Sequence, residues 1–440
     1  MERTIPRTTA DMLNGFGERT ENLSDSYIQR VTDAGEVLGL YSPWAQILYR
    51  YGKYGKPESG RSRNLQGEKI SAYKSRVNRE ILGAISEIHG ISMERASSVY
   101  YESLKDANAL VSLILRETLP REYVNIFGLR NEVSSFSNNP ADHIWRLAHS
   151  SRDEAERYQI FRQLQLANMF FELNSNYPNE VIHQYMYLLH ELFNESLYQA
   201  GEGFRGNQYL SVTHYCGEYN EFLSFHDDFG GQETKGIYSV RTIHNGKDDI
   251  HILTNNRIKG KAEAGGKALQ KSTRSNVIEI NEHVRDLAGI RFTVIGDTGQ
   301  RDYLYQRITD VLNKAQYGTN SIISRFEDDS VVDGRSTNGG IDWKRIKVYL
   351  KDKDGKEISQ PIELIVDDFE VFSNGLYYFG SANSSRKPRA HEIYKTERSQ
   401  AIFPYLFPKD IYYDAYAAVH IPMAMEQHKA NIIDNLRRRV

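Results

Sequence analysis

The period of the apolar residues changes once along this chain, from helical before about residue 206 to alternating after it, and that change limits the fold more than any single motif. In the first half, Val77, Ile81, Ile85 and Ile88 recur at three- and four-residue spacing. So do Leu164, Ala167, Phe170 and Phe171, and then Val181, Tyr185, Leu188, Leu189 and Leu192. A stripe about 100° wide on a helix has to be buried against another element, so residues 1–205 read as an α-helical domain. Asn179, following Pro178, suits an N-cap for a helix starting at Glu180, and Gly201 and Gly203 end the pattern.

After Gly206 the runs are short and alternating. Ile237, Ser239 and Arg241 alternate with Tyr238, Val240 and Thr242, then Asn245-Gly246 supplies a turn before Ile250-His251-Ile252-Leu253, which is a hairpin signature. Strands follow at Gly289–Ile295, Trp343–Leu350 and Pro361–Val366, with an amphipathic helix at Asp302–Gln316 and a turn at Asp354-Gly355. The fold class is therefore α+β: a helical domain over 1–205, then a mixed β-sheet flanked by helices over 206–440.

Composition narrows the functions. A chain of 440 residues with 55 Lys plus Arg against 58 Asp plus Glu carries a formal net charge of −3, so it has no whole-molecule attraction to nucleic acid or an anionic membrane and any anion site is local. Its one cysteine, Cys216, excludes an intramolecular disulfide framework and a cysteine-rich zinc site, and reads by default as a small buried hydrophobe in a reducing compartment. The Met1–Thr4 start lacks a signal-peptide core and no apolar run is long enough for a membrane span. The expectation is a cytoplasmic protein with no membrane contact, or an exported effector in a host cytosol.

Chemistry concentrates in the second half. The segment Arg257-Ile258-Lys259-Gly260-Lys261-Ala262-Glu263-Ala264-Gly265-Gly266-Lys267 sets cations on a glycine-containing loop, which suits a polyphosphate and equally suits a solvated basic loop. Downstream, Asp286 stands at the mouth of a strand, where a carboxylate ligand for nucleotide-bound Mg²⁺ would be placed. In Pro361–Val366, Ile362, Leu364 and Val366 share one face, so Glu363 points to the other with Ile365, as a second Mg²⁺ ligand or as a solvent-facing strand glutamate.

Taken together, residues 235–400 resemble the synthetase domain of the RelA/SpoT alarmone synthetases, nucleotidyltransferase-like enzymes that move pyrophosphate from ATP to a 3′-hydroxyl of a guanosine nucleotide. The family's Arg-x-Lys and later lysine are matched by Arg257, Lys259 and Lys267, and its Asp-(Ile/Leu)-Ala-Gly-Ile-Arg strand entry by Asp286–Arg291. Arg325-Phe326-Glu327-Asp328-Asp329 stands for its Arg-Phe-Lys-Asp-Tyr, Arg335 for a loop lysine, and Asn338-Gly339-Gly340-Ile341-Asp342-Trp343-Lys344 for its Asn-Gly-Tyr-x-Ser-x-His. Glu363–Asp367 stands for Glu-x-Gln-Ile-Arg, and Ala390–Lys395 is similar to a later Ala-His-Trp-x-Tyr-Lys. The acceptor side departs most: the family's stacking tyrosine is Gly340, its histidine is Lys344, and its glutamine and arginine after the glutamate are Ile365 and Asp367.

The resemblance implies Asp286 and Glu363 as catalytic, Mg²⁺-holding carboxylates, with Glu363 the base. It implies Arg257, Lys259, Lys267, Arg291 and Arg335 as ATP-phosphate contacts and Asn338 and Lys344 as acceptor contacts, although Arg291 could instead partner Asp286. The acceptor is a nucleotide, guanosine favoured, or an RNA 3′ end as in toxin-like members that pyrophosphorylate tRNA. A non-catalytic module that keeps the fold is the other class. The basic-aromatic run from Tyr49 to Arg63 could contact RNA or be an ordinary loop. His226-Asp227 resembles the dyad of HD hydrolases but lacks the separated ligands such a site needs, and His183 and His190 read as structural.

Overall fold

The computed structural model of the chain describes residues 67–126, 154–176, 179–198, 208–213, 234–272, 284, 286–318, 321–328, 344–352, 354–358, 360–369, 371–372 and 391–438. In chain order the described α-helices are α1 (Gly67–His89), α2 (Met93–Thr118), α3 (Arg121–Ile126), α4 (Glu154–Asn176), α5 (Asn179–Phe193, continued by a π-helical turn at Asn194–Tyr198), α6 (Lys261–Ser272), α7 (Thr298–Gln316), α8 (His391–Leu406), α9 (Lys409–Tyr412) and α10 (Ala415–Arg438). The strands are β1 (Gln208–Thr213), β2 (Thr234–His244), β3 (Asp249–Ile258), β4 (Ala288–Ile295), β5 (Ile323–Asp328), β6 (Lys344–Leu350) and β7 (Ile362–Asp368). The protein is thus α+β with a mixed sheet.

The described residues of Met1–Pro178, Lys261–Val284 and Thr396–His428 form one compact unit, and those of Asn179–Gly260, Arg285–Lys395 and Lys429–Val440 form a second. This is not the expected division at 205/206. Helix α5 belongs with the strands, because Met186, Leu189 and Phe193 close the same core as Ile290, Phe292 and Val294. A stripe of apolar residues dictates that a face is buried and leaves open what buries it.

In the helical unit α2 packs on α1, α4 and α6. Ser92 caps α2 by accepting from the Arg95 amide at 3.1 Å, and the stripe through Val99, Leu104, Val111 and Ile114 is fully buried. In this seam the Asn174 amide donates to Ser103 at 3.2 Å and to Asp106 at 2.9 Å, and accepts from Lys261. Arg162, buried, donates to the carbonyl of Leu406 at 2.7 Å at the end of α8 and lies over the Phe407 ring at 4.7 Å.

The sheet runs β1-β2-β3-β4-β7-β6-β5 and is antiparallel except for the parallel β4–β7 pair. The expected hairpin is the β2–β3 pair. Asn245 Oδ1 accepts from the amides of Lys247 at 2.9 Å and Asp248 at 2.8 Å, and Gly246 takes φ +93°, which is why a glycine stands there. One face of the sheet carries Ile250, Ile252, Ile290, Phe292, Val294, Ile346, Val348, Ile362, Leu364 and Val366, closed by α5 and by Leu304, Ile308, Val311 and Leu312 of α7. Asp297 caps α7 by accepting from the Gln300 amide at 2.9 Å. The alternation this core enforces places Glu363 and its strand neighbours: odd-numbered positions of β4, β6 and β7 are driven to the opposite face.

Candidate functional site

Residues paired across a ladder share a face, so the register defines the site. One transverse row reads Arg257 on β3, Gly289 on β4, Glu363 on β7, Lys347 on β6 and Glu327 on β5. The neighbouring row toward the starts of β4 and β7 contains Lys259, whose amide donates to the Leu287 carbonyl at 2.7 Å, and at its far side the Arg325–Tyr349 pair. Asp286 lies two residues before β4, so both carboxylates stand at the same end of two parallel neighbours. With strands about 4.8 Å apart, Arg257 and Glu363 are separated by about 10 Å between Cα atoms, with no side chain on the glycine between them.

Both carboxylates have cationic partners. The Lys259 ammonium donates to Asp286 Oδ2 at 2.6 Å, with the lysine side chain 6% and the aspartate 17% exposed, so this pair is largely out of water. Arg345 donates to Glu363 Oε1 at 3.2 Å. Arg257 is exposed at the edge of the row. The requirement at Gly289 is steric: a Cβ there would lie 2.8 Å from the Glu363 carbonyl oxygen.

Arg291 does not partner Asp286. Its Nε donates to Asp367 Oδ2 at 2.7 Å and a terminal nitrogen donates to the same oxygen, while Thr293 donates to Oδ1 at 2.7 Å and the Phe372 ring lies 5.0 Å from the guanidinium. Register explains the choice: Arg291 is next to Ile365, one step from Asp367, whereas Asp286 precedes the strand by two residues. Burial pushes the Asp367 carboxyl above its ordinary range, and Arg291 and Thr293 oppose that shift. The aspartate that departs from the family pattern is therefore the countercharge to the arginine that matches it.

Two further expectations change. The basic segment is not a loop throughout: Arg257 and Ile258 end β3, and Lys261 to Lys267 lie in α6, where Gly265 sits so close to Phe170 that a Cβ would be 2.4 Å from its ring. Lys267 accordingly belongs to the helical unit, while Arg257 and Lys259 belong to the sheet unit. Lys344 pairs with Val366 and so stands on the helix-covered face, its ammonium 5.8 Å from the Tyr305 ring. That is the opposite face from Glu363, whereas the resemblance implies Lys344 as an acceptor contact.

Arg335, Asn338, Cys216, His226, Asp227 and the Tyr49–Arg63 run lie outside the described residues. His190 meets Asn256 of β3, and burial holds its pKa below the ordinary value. Arg345, Lys347 and Tyr349 are not among the residues the motifs mark, yet the alternation of Lys344-Arg345-Ile346-Lys347-Val348 already sets Arg345 and Lys347 on the face that Glu363 shares. No protein-family model matches the chain, and no curated protein matches it in sequence. Among the described residues no helix is long and apolar enough to cross a membrane, and no group of three or more His, Cys, Asp or Glu is gathered as a metal site.

Proposed function

We propose that the sheet unit is a RelA/SpoT-like, ATP-dependent pyrophosphokinase with a nucleotidyltransferase-like arrangement, transferring pyrophosphate to a nucleotide 3′-hydroxyl, a guanosine nucleotide being the favoured acceptor. One observation carries this reading: Arg257, Lys259 and Glu363 stand on two adjacent rows at one end of three adjacent strands, with Asp286, just before β4, paired to Lys259. That is the combination of cations and carboxylates a polyphosphate with a hard divalent cation calls for.

Mg²⁺ takes one or two carboxylates and completes its shell with phosphate oxygens and water, and Asp286 and Glu363 at the starts of parallel β4 and β7 fit that donor set. The ion would neutralise charge on the polyphosphate. Arg257 and Lys259 hold the phosphates. Glu363 accepts the proton of the acceptor hydroxyl as its oxygen bonds to the β-phosphorus; the bond from that phosphorus to the bridging α–β oxygen breaks, and AMP leaves with the electron pair.

The test is label transfer from β,γ-labelled ATP with Mg²⁺ to GDP, GTP, adenine nucleotides and bulk tRNA. The expected result is transfer to a nucleotide that Glu363→Gln lowers by about 10²–10⁴ and Asp286→Asn abolishes. Transfer to tRNA alone would assign the toxin-like activity. A folded protein that transfers to none of them refutes the enzyme. The second reading, a non-catalytic module, draws on the Lys259–Asp286 and Arg345–Glu363 pairs, in which one oxygen of each carboxylate meets a cation of the chain itself.

A further inference from the structure

Arg325 on β5 lies flat on Tyr349 of β6, with its guanidinium carbon 3.6 Å from the ring centroid. It is held there from both sides. Nε donates to both oxygens of Glu357 at 3.1 Å, a terminal nitrogen donates to Glu327, Ser324 donates to Glu357 at 2.7 Å, and the Tyr349 hydroxyl donates to Glu327 at 3.4 Å. The ring beneath is 4% exposed, while the arginine side chain above it is 42% exposed. A planar cation is thus locked in orientation with its outer face open.

Its position is what gives it meaning. Arg325 pairs with Tyr349, and Glu327 pairs with Lys347, which pairs with Glu363, so the stack is on the same face as Glu363 and one row nearer the end where Asp286 and Lys259 stand. Two strand spacings and one two-residue step put Arg325 about 12 Å from Glu363 between Cα atoms. Glu363 stands between two groups: Arg257 and Lys259 lie toward β3, the Arg325–Tyr349 stack toward β5.

The geometry points to the Arg325–Tyr349 stack as the platform for the acceptor's nucleobase, a purine lying on the outer face of the guanidinium with its ribose directed at Glu363. Bases stack on arginine planes and on aromatic rings, and the larger purine gains most from such a surface. Lys344 is on the other face and Gly340 has no side chain, so neither residue inherited from the family pattern supplies this function. The assignment rests on the pyrophosphokinase reading for calling the ligand an acceptor; the stacking itself does not.

Equilibrium titration of the full chain with GDP, ADP and ribose 5-phosphate, without ATP or Mg²⁺, tests it. Wild type binds both purine nucleotides more tightly than ribose 5-phosphate. Arg325→Ala and Arg325→Lys each weaken purine binding about 5- to 100-fold, because an ammonium keeps the charge and loses the plane, while ribose 5-phosphate binding is unchanged. Arg325→Lys with wild-type purine affinity, or a wild type that binds GDP and ADP no better than ribose 5-phosphate, overturns the platform. A wild type that stacks purines through Arg325 yet transfers no label refutes the reaction and leaves the platform standing.

Discussion

Gly289→Ala tests whether the close approach of β4 and β7 is as tight as the register requires. The added methyl would sit 2.8 Å from the Glu363 carbonyl oxygen and 3.6 Å from its Cβ, where ordinary contact begins at 3.4 Å. A backbone oxygen fixed in a ladder cannot swing aside, so the strands must part by about 0.5 Å, an overpacking cost of about 1–3 kcal/mol. Reduced freedom of the unfolded chain offsets about 0.4–1 kcal/mol, leaving about 1–2 kcal/mol of destabilisation. In a unit of about 200 residues that lowers Tm by about 2–8 °C. Thermal and urea unfolding followed by circular dichroism measure it. Gly83→Ala is the control: nothing lies within 4 Å of a Cβ there, in the interior of α1, so that variant should gain up to about 1 kcal/mol. A Gly289→Ala protein as stable as wild type would refute the close-approach argument.

Two more outcomes follow from the sheet unit. Arg291→Ala leaves Asp367 buried without its cation and should cost about 3 kcal/mol in urea unfolding, whereas the double variant Arg291→Ala/Asp367→Asn should recover most of that; equal losses would show that the pair is not coupled. The lowered pKa of His190 makes the neutral ring the folded form, so its contribution is complete above the unfolded value of 6.5 and is lost as pH falls through the folded pKa. His89 and His428 shift the same way. Stability should therefore fall from pH 7 toward 5, less steeply in His190→Gln, and an unchanged slope would remove His190 from the account.

Local period made much of the architecture legible. The strand expected at Gly289–Ile295 is Ala288–Ile295, that at Trp343–Leu350 is Lys344–Leu350, and the helix expected at Asp302–Gln316 begins at Thr298, because alternation and helical spacing are local properties of the chain. Glu363 faces away from Leu364 and Val366 as its alternation required. What was not legible depends on pairing between distant segments. Nothing around Arg291 names Asp367, and nothing in α5 says that its stripe meets β4. Gly265 and Gly266 read as loop glycines because a helix interior penalises them, yet Phe170, far away in sequence, is what Gly265 admits. Lys344 shows the same limit: a motif fixes a position in sequence, while the register fixes the face.

Among the described strands β5 is outermost on one side of the sheet, and an outer strand offers its backbone to any other chain able to extend the sheet. Arg325 and Glu327 alternate there with Phe326, which is packed on the core, so the edge shows an incoming strand two charges of opposite sign. The same arginine is thus asked both to keep copies of the protein from zipping together in concentrated solution and to lie flat for a base. Lysine meets the first demand and fails the second, so a single substitution at this position separates colloidal behaviour from recognition.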